Sequence, residues 1–127
     1  MFEKVETGIA PSKAPLSATV KAGRVVRSAH IAKDPATGEL ITGDIETQAR
    51  RVFLNLKQAL EAAGGTLADV VQIQAYLTDK ADAAGMNRVY RQFFSAPYPV
   101  RATVVADLLS DGIRLEVLAT AVLSPSP

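Results

Sequence analysis

The sequence predicts an α+β fold, a mixed β-sheet with two helices packed on one face. Two segments repeat apolar residues at three- and four-residue steps, as one face of a helix does. Around them lie short runs rich in Val, Ile, Leu and Thr, which are typical of strands. Together they follow the order β-β-β-α-β-α-β-β, which favours one sheet with its helices on a single side.

The length of 127 residues is usual for one domain with one core. We therefore predict a single domain over residues 1–127. Residues 124–127 read Ser-Pro-Ser-Pro and are expected to form a frayed tail.

Three strands are predicted before the first helix. Residues 2–6 indicate a short edge strand. The runs 16–23 and 24–31 indicate a hairpin with a tight turn at 21–23. Residues 34–40 hold Pro and Gly in turn positions and predict a loop.

The first helix is predicted over residues 44–65. Asp44 is a suitable N-cap, and Gly64 and Gly65 form a natural stop. The apolar stripe of this helix consists of Ile45, Ala49, Val52, Phe53, Leu56 and Leu60.

A strand at 70–78 leads to the second helix, predicted over 81–94 with Asp79 or Asp82 as its cap. Two strands follow at 101–107 and 113–122. Residues 107–112 are predicted to join these two strands into a second hairpin.

One face of the predicted sheet has no helix to cover it, although its side chains are partly apolar. A monomer would expose this face, so we expect an oligomer. On the same strand pattern, Glu116 stands among apolar residues of the last strand. Because an unpaired buried acid is costly, the pattern favours an ion pair with Arg114 or with a cross-strand cation.

Arg101 lies between a proline-bounded corner at 97–99 and a run of β-forming residues. One interpretation is a surface charge beside a turn. The other is an anchor for a small carboxylate, because a guanidinium matches a carboxylate with two parallel donors. The local pattern leaves both interpretations open.

Composition excludes several classes of protein. A net charge of +1 without a basic cluster gives no indication of nucleic-acid binding. The absence of cysteine excludes disulfides and thiolate catalysis, and a single histidine, His30, argues against a catalytic metal. Neither a signal-peptide core nor a membrane-spanning run is present, so a cytoplasmic location is expected.

Seven stretches, in order and over almost the whole chain, resemble the RidA (YjgF/YER057c/UK114) family of reactive-intermediate deaminases. They are APLS (14–17), DPATGEL (34–40), GDIETQARRVFLNL (43–56), LEAAGGTLADVVQIQAYLTD (60–79), NRVYRQFF (87–94), PVRATVV (99–105) and LEVLATAV (115–122). The resemblance implies a chorismate-mutase-like fold assembled as a barrel-like homotrimer, with a cleft at each subunit interface. It also implies hydrolysis of 2-imino acids and their enamines, formed by pyridoxal-phosphate enzymes, to 2-keto acids and ammonia without a cofactor.

Carried over residue by residue, the resemblance implies that Arg101 holds the substrate carboxylate and that Glu116 holds the hydrolytic water. Ser28 matches a polar residue of the cleft. Asn87 matches a family asparagine that contacts substrate, although a helix-capping role fits it equally. Leu16 replaces the tyrosine that usually closes the pocket.

The same resemblance allows two alternatives. Leu16 in place of tyrosine, and His30 in place of the usual glutamine, leave the preferred acid open. The chain could bind a small carboxylate without turning it over. It could also be a sister deaminase for another acid, such as an aminoacrylate or an aminomuconate.

Overall fold

Six strands form one sheet, and two α-helices pack against it. The computed structural model describes residues 1–125. The elements are β1 (Glu3–Lys4), β2 (Thr19–Ala22), β3 (Val25–Ile31), α1 (Ile45–Ala62), β4 (Val70–Leu77), α2 (Ala83–Phe93), β5 (Val100–Val105) and β6 (Leu115–Val122). The predicted fold class and order of elements are confirmed. Of the predicted tail, 124–125 is exposed and has no regular structure, and 126–127 lies outside the described residues.

The strand order across the sheet is β1-β2-β3-β6-β4-β5, and only β4 and β5 run parallel. The predicted hairpin between the last two strands is therefore wrong, because β4 lies between them. The chain passes from β4 through α2 into the parallel neighbour β5. It then crosses to β6, which pairs antiparallel with both β3 and β4 at the centre of the sheet.

The hairpin of β2 and β3 is confirmed. Ala22 pairs with Val25, which leaves a two-residue turn of Gly23 and Arg24. Gly23 has φ +58°, a left-handed conformation that side chains larger than hydrogen disfavour.

An acidic residue precedes each helix, but only the one before α1 caps its helix. Asp44 accepts a 2.8 Å hydrogen bond from the Thr47 amide at the start of α1. Before α2, Asp79 caps a short 3₁₀ turn, whereas Asp82 makes no capping bond. Asp82 instead binds the guanidinium of Arg114, with an Nη1–Oδ2 distance of 3.1 Å.

The α1 side chain of Gln48 fixes the loop that leads to β6. Its amide nitrogen donates to the carbonyls of Gly43 and Gly112, and its oxygen accepts from the Arg114 amide. Gln48 is completely buried, so these bonds replace water for every polar atom they join.

Alternation along β6 separates a covered face of the sheet from an open one. Leu115 and Val117 are buried beneath the helices, whereas Leu118 and Val122 are exposed on the open face. The edge strand β5 adds Val104 to that face, 41% exposed. In the described part of the chain, no helix is long and apolar enough to cross a membrane.

Candidate active site

Arg101 projects from the covered face of the edge strand β5. It pairs with Ile73 of β4, and neighbouring residues in adjacent strands point to the same side of a sheet. Ile73 is fully buried, so Arg101 points toward the helices. Because β5 lies at the edge of the sheet, the guanidinium of Arg101 remains partly exposed beside α2.

Two residues of α2 hold the guanidinium. Nη2 of Arg101 donates a 2.7 Å hydrogen bond to Oδ1 of Asn87. The guanidinium carbon lies 4.6 Å from the centre of the Tyr90 ring, within the range of a cation–π interaction. Asn87 and Tyr90 are three residues apart and share one face of the helix. They fix the plane of the guanidinium and leave several of its N–H donors available to a ligand.

Tyr90 is supported in turn by the aromatic part of the core. Its ring stacks on Phe94 at 4.6 Å and meets the edge of Phe53 at 5.7 Å. Its hydroxyl group is buried and has no hydrogen-bond partner. Burial raises the pKa of Tyr90, while the charge of Arg101 acts in the opposite direction.

A cavity of about 350 Å³ opens beside these side chains. Its wall contains two cations and no acid; the lining residues are Asn87, Tyr90, Arg91, Tyr98, Pro99 and Arg101. Within residues 1–125, no carboxylate lies within 4.0 Å of Arg101. The charge and the free donors of this cavity therefore suit a small anion.

Glu116 occupies a different cavity. It pairs with Ile31 of β3 and Tyr76 of β4 and points to the open face. The predicted ion pair of Glu116 is wrong for the residues that the structure describes. Arg114 binds Asp82 instead, and no other described cation lies within 4.0 Å of Glu116.

The cavity at Glu116 has a volume of about 570 Å³. Leu16 lies on its wall with 60% of its surface exposed. His30 and Lys33 line the same cavity, from the end of β3 and the residues that follow it. The structure thus places Leu16 and Glu116 on the wall of one cavity.

Ser28 lies apart from both cavities, on the covered face of β3. It is 1% exposed, and its hydroxyl bonds Thr19 at 2.7 Å and Nε2 of His30 at 2.6 Å. The structure does not bring Ser28 together with Arg101 or Glu116. His30 is buried beside it, and burial, followed by the charge of Lys33, lowers its pKa from 6.5 to about 4.

Arg101 and Glu116 also lie on opposite faces of the sheet. Arg101 pairs with Ile73, and Glu116 pairs with Tyr76, three residues further along β4. Side chains alternate along a strand, so partners three residues apart point in opposite directions. The register shift in the pairing of β4 with β6 lies before Ile73, so it does not change the three-residue separation of Ile73 and Tyr76. The two side chains of one protomer therefore cannot face a common ligand.

Tyr90 and Lys33 were not among the site residues predicted from the sequence. Tyr90 looked like part of the apolar stripe of α2, and only its spacing from Asn87 could have indicated a shared function. Lys33 follows a strand and precedes a turn, and nothing in that pattern distinguishes it from a solvated charge. Within residues 1–125, no three His, Asp or Glu side chains converge as a metal ion would require.

Comparison with known proteins gives a match over most of the chain. Residues 7–123 match the family model described as Endoribonuclease L-PSP. A RutC family protein of Pyrococcus horikoshii is 41% identical over 123 residues, which cover 95% of this chain and 98% of that protein. The 2-iminobutanoate/2-iminopropanoate deaminase of Capra hircus is 33% identical over 95% of this chain and 90% of its own length.

Solved structures agree with this match. RidA from the Antarctic bacterium Psychrobacter superposes with a TM-score of 0.88 at 38% identity, over 95% of this chain and 99% of that one. E. coli TdcF, solved with bound serine, gives a TM-score of 0.85 at 36% identity, over 96% and 99% of the two chains. The sequence and the fold therefore lead to the same group of proteins.

Proposed function

Because the chain belongs to the endoribonuclease L-PSP family, which includes the RidA proteins, we propose that it hydrolyses 2-imino acids and their enamines to 2-keto acids and ammonia. The observation that carries this proposal is the guanidinium of Arg101, fixed by Asn87 and Tyr90 in a cavity without an acid. The names of the deaminase relatives give short imino acids as their substrates. Such acids carry a carboxylate, which the guanidinium of Arg101 can bind.

Arg101 anchors the substrate. Two of its N–H groups donate to the two oxygens of the carboxylate, a geometry that a lysine cannot reproduce. Asn87 contributes through Arg101, since its amide oxygen keeps one edge of the guanidinium occupied. The anchored substrate then exposes its C=N carbon at a fixed distance from the carboxylate.

Glu116 orients the attacking water and accepts a proton from it. Water adds across the C=N bond to give a carbinolamine, and the nitrogen leaves as ammonia after proton transfer, so a C=O group replaces the C=N group. A positioned carboxylate can accept a proton from water in such a step. Free imines already hydrolyse in water without a catalyst, so positioning is the main contribution of the protein.

The site needs two protomers. Since Arg101 and Glu116 of one chain lie on opposite faces of the sheet, Glu116 of a neighbouring protomer must complete the cleft at Arg101. A homotrimer with barrel-like packing would bring these residues together. It would also cover the apolar side chains of the open face, including Leu118 and Val104.

The other candidate residues take secondary parts in this proposal. Leu16 shapes the wall beside Glu116 and helps to determine which acid fits. Ser28 acts from beneath the sheet by fixing His30 rather than by touching the ligand in the described conformation. No cofactor is required, and a cytoplasmic location remains a prediction.

The test couples a threonine dehydratase to the purified protein and follows the release of 2-ketobutyrate. We expect the wild-type protein to accelerate release and Arg101→Ala to abolish the acceleration while the fold persists. Arg50→Ala is the matched control, because Arg50 is an exposed arginine of α1 whose contact with Gln92 is long, at 3.4 Å. Equal acceleration by wild type and Arg101→Ala would contradict the mechanism.

A second candidate function is carboxylate binding without turnover. It is favoured by the cavity at Arg101, whose own wall contains no acid to activate water. A thermal-shift titration with 2-ketobutyrate, run beside an ammonia assay, separates the two functions. Binding without ammonia release would favour the binding protein. Turnover of an aminoacrylate or aminomuconate, with none of 2-iminobutanoate, would favour a sister deaminase.

A further inference from the structure

Lys33 carries a positive charge into the cavity that contains Glu116. It lies two residues after β3 and is only partly exposed. Its ammonium donates a 2.7 Å hydrogen bond to the carbonyl of Ala10, which uses one of its three donors. Within the described 125 residues, no carboxylate lies within 4.0 Å of it.

The surroundings of Lys33 show that this charge is partly removed from water. Burial lowers its pKa, and its charge helps to keep His30 neutral. The cavity also contains the ionisable residues Lys13, Glu39 and Glu116. Lys13 and Glu39 are exposed to solvent at the rim. Lys33 is therefore the cation that a ligand in this cavity can bind with the least competition from water.

We propose that Lys33 binds a second carboxylate of the substrate, so that the cleft prefers 2-imino dicarboxylic acids to monocarboxylic ones. This inference rests on the proposed function. Arg101 takes the carboxylate next to the imine, Glu116 of the neighbouring protomer directs water to the imine carbon, and Lys33 of that same neighbour holds the far carboxylate. Lys33 and Glu116 reach the ligand together because they line one cavity.

The chemistry remains a simple hydrolysis. For 2-iminosuccinate, water adds to the C=N carbon, ammonia leaves, and the product is oxaloacetate. The far carboxylate takes no part in bond changes. It contributes only binding free energy through a charge-assisted hydrogen bond to the ammonium.

Product acids serve as stable probes of the site. The dissociation constants of 2-ketoglutarate and 2-ketobutyrate are measured by calorimetry on wild-type protein, Lys33→Gln and Lys13→Gln. We expect wild type to bind 2-ketoglutarate about tenfold more tightly than 2-ketobutyrate, the usual effect of one charged hydrogen bond. Lys33→Gln should lose this preference and keep its affinity for 2-ketobutyrate within about twofold. Lys13→Gln should retain the preference, since Lys13 is exposed at the rim.

Equal affinity of wild type for the two acids overturns the inference, as does a preference that survives in Lys33→Gln. An equal loss in Lys13→Gln also overturns it, because it would indicate a general surface potential. Lys33→Met is measured in parallel, and circular dichroism confirms that each variant is folded.

Turnover separates this inference from the proposed function. Imines are generated in place by amino-acid oxidases, 2-iminosuccinate from aspartate and 2-iminobutanoate from 2-aminobutyrate. Hydrolysis of both by wild type, with only 2-iminosuccinate affected in Lys33→Gln, supports the inference. If the binding preference depends on Lys33 but the protein does not accelerate hydrolysis, the second carboxylate site at Lys33 stands and the proposed deaminase activity is rejected.

Discussion

Arg101 and Glu116 lie on opposite faces of one sheet, separated by strand β4. Their pairing partners on that strand, Ile73 and Tyr76, are three residues apart. The two spacings between β5, β4 and β6 also separate them laterally by about 10 Å. If the proposed active site uses both residues, it takes them from two protomers, and activity then depends on assembly.

The contact between Asn87 and Arg101 can be tested with one neutral and one acidic substitution. Asn87→Ala removes the 2.7 Å hydrogen bond to Arg101 and should raise KM about threefold to fivefold. Asn87→Asp places a carboxylate against the guanidinium and should raise KM more than tenfold, since it competes with the substrate carboxylate. Steady-state kinetics would show this order, and a smaller effect of Asp than of Ala would contradict the anchoring role of Arg101.

Substitutions at Tyr90 distinguish the contribution of its ring from that of its hydroxyl group. Tyr90→Phe keeps the ring under Arg101 and removes a buried hydroxyl without a partner. It should leave KM within about twofold and leave stability unchanged or raise it by up to about 1 kcal/mol.

Tyr90→Leu removes the aromatic support and should raise KM about fivefold in the part of the protein that remains folded. Urea denaturation and kinetics on the same samples distinguish stability from binding. A Phe variant as impaired as the Leu variant would show that the hydroxyl, and not the ring, supports Arg101.

The open face can be tested through Leu118. This residue is 40% exposed in the centre of that face, so Leu118→Asp should disrupt assembly and lower activity in parallel. The control is Leu109→Asp, because Leu109 is fully exposed in a loop outside the sheet. Analytical ultracentrifugation reports the mass of both variants. A Leu118→Asp protein that sediments like wild type would remove the open face from the interface.

His30 should make stability depend on pH. Its pKa is lowered from 6.5 to about 4 in the folded protein, so only the unfolded chain takes up a proton between these values. Stability is therefore lost as pH falls from about 6.5 to about 4, by about 3 kcal/mol in total from this residue. Below that range both states are protonated and no more is lost.

His30→Gln removes this titration while keeping a polar group for Ser28. The pKa of Asp34 is lowered by backbone hydrogen bonds, so protonation of such carboxylates also lowers the stability of the protein at acid pH. This loss is the same in wild type and in His30→Gln. The difference between wild type and variant in urea denaturation at pH 7 and pH 4 isolates His30. A difference that does not change with pH would show that His30 is not held neutral.

The elements of this fold follow closely from the sequence because each has a local cause. Asp44 begins α1, Gly23 turns the β2–β3 hairpin, and alternation in β6 separates Leu115 from Glu116. The hairpin predicted at 107–112 failed because pairing between strands is not local. Nothing in the residues themselves shows that β4 inserts between β5 and β6.

The site was predictable only in its separate parts. Arg101, Glu116, Asn87 and Leu16 could be selected from the resemblance, and the structure places all four at cavities. Their grouping into two cavities on opposite faces depends on strand order and register. The sequence pattern contains neither. The resemblance implied a cleft between subunits, but only the strand register shows that Arg101 and Glu116 of one protomer lie on opposite faces.

Complementation between two inactive variants tests the central claim most directly. Arg101→Ala and Glu116→Gln are mixed in equal amounts, unfolded and refolded together, or co-expressed with different tags to verify mixed oligomers. If each cleft takes Arg101 from one protomer and Glu116 from the next, about one quarter of the clefts in a random ring contain both intact residues. We therefore predict recovery of about one quarter of wild-type activity from two proteins that are inactive alone. Verified mixed oligomers that remain inactive would contradict the shared cleft.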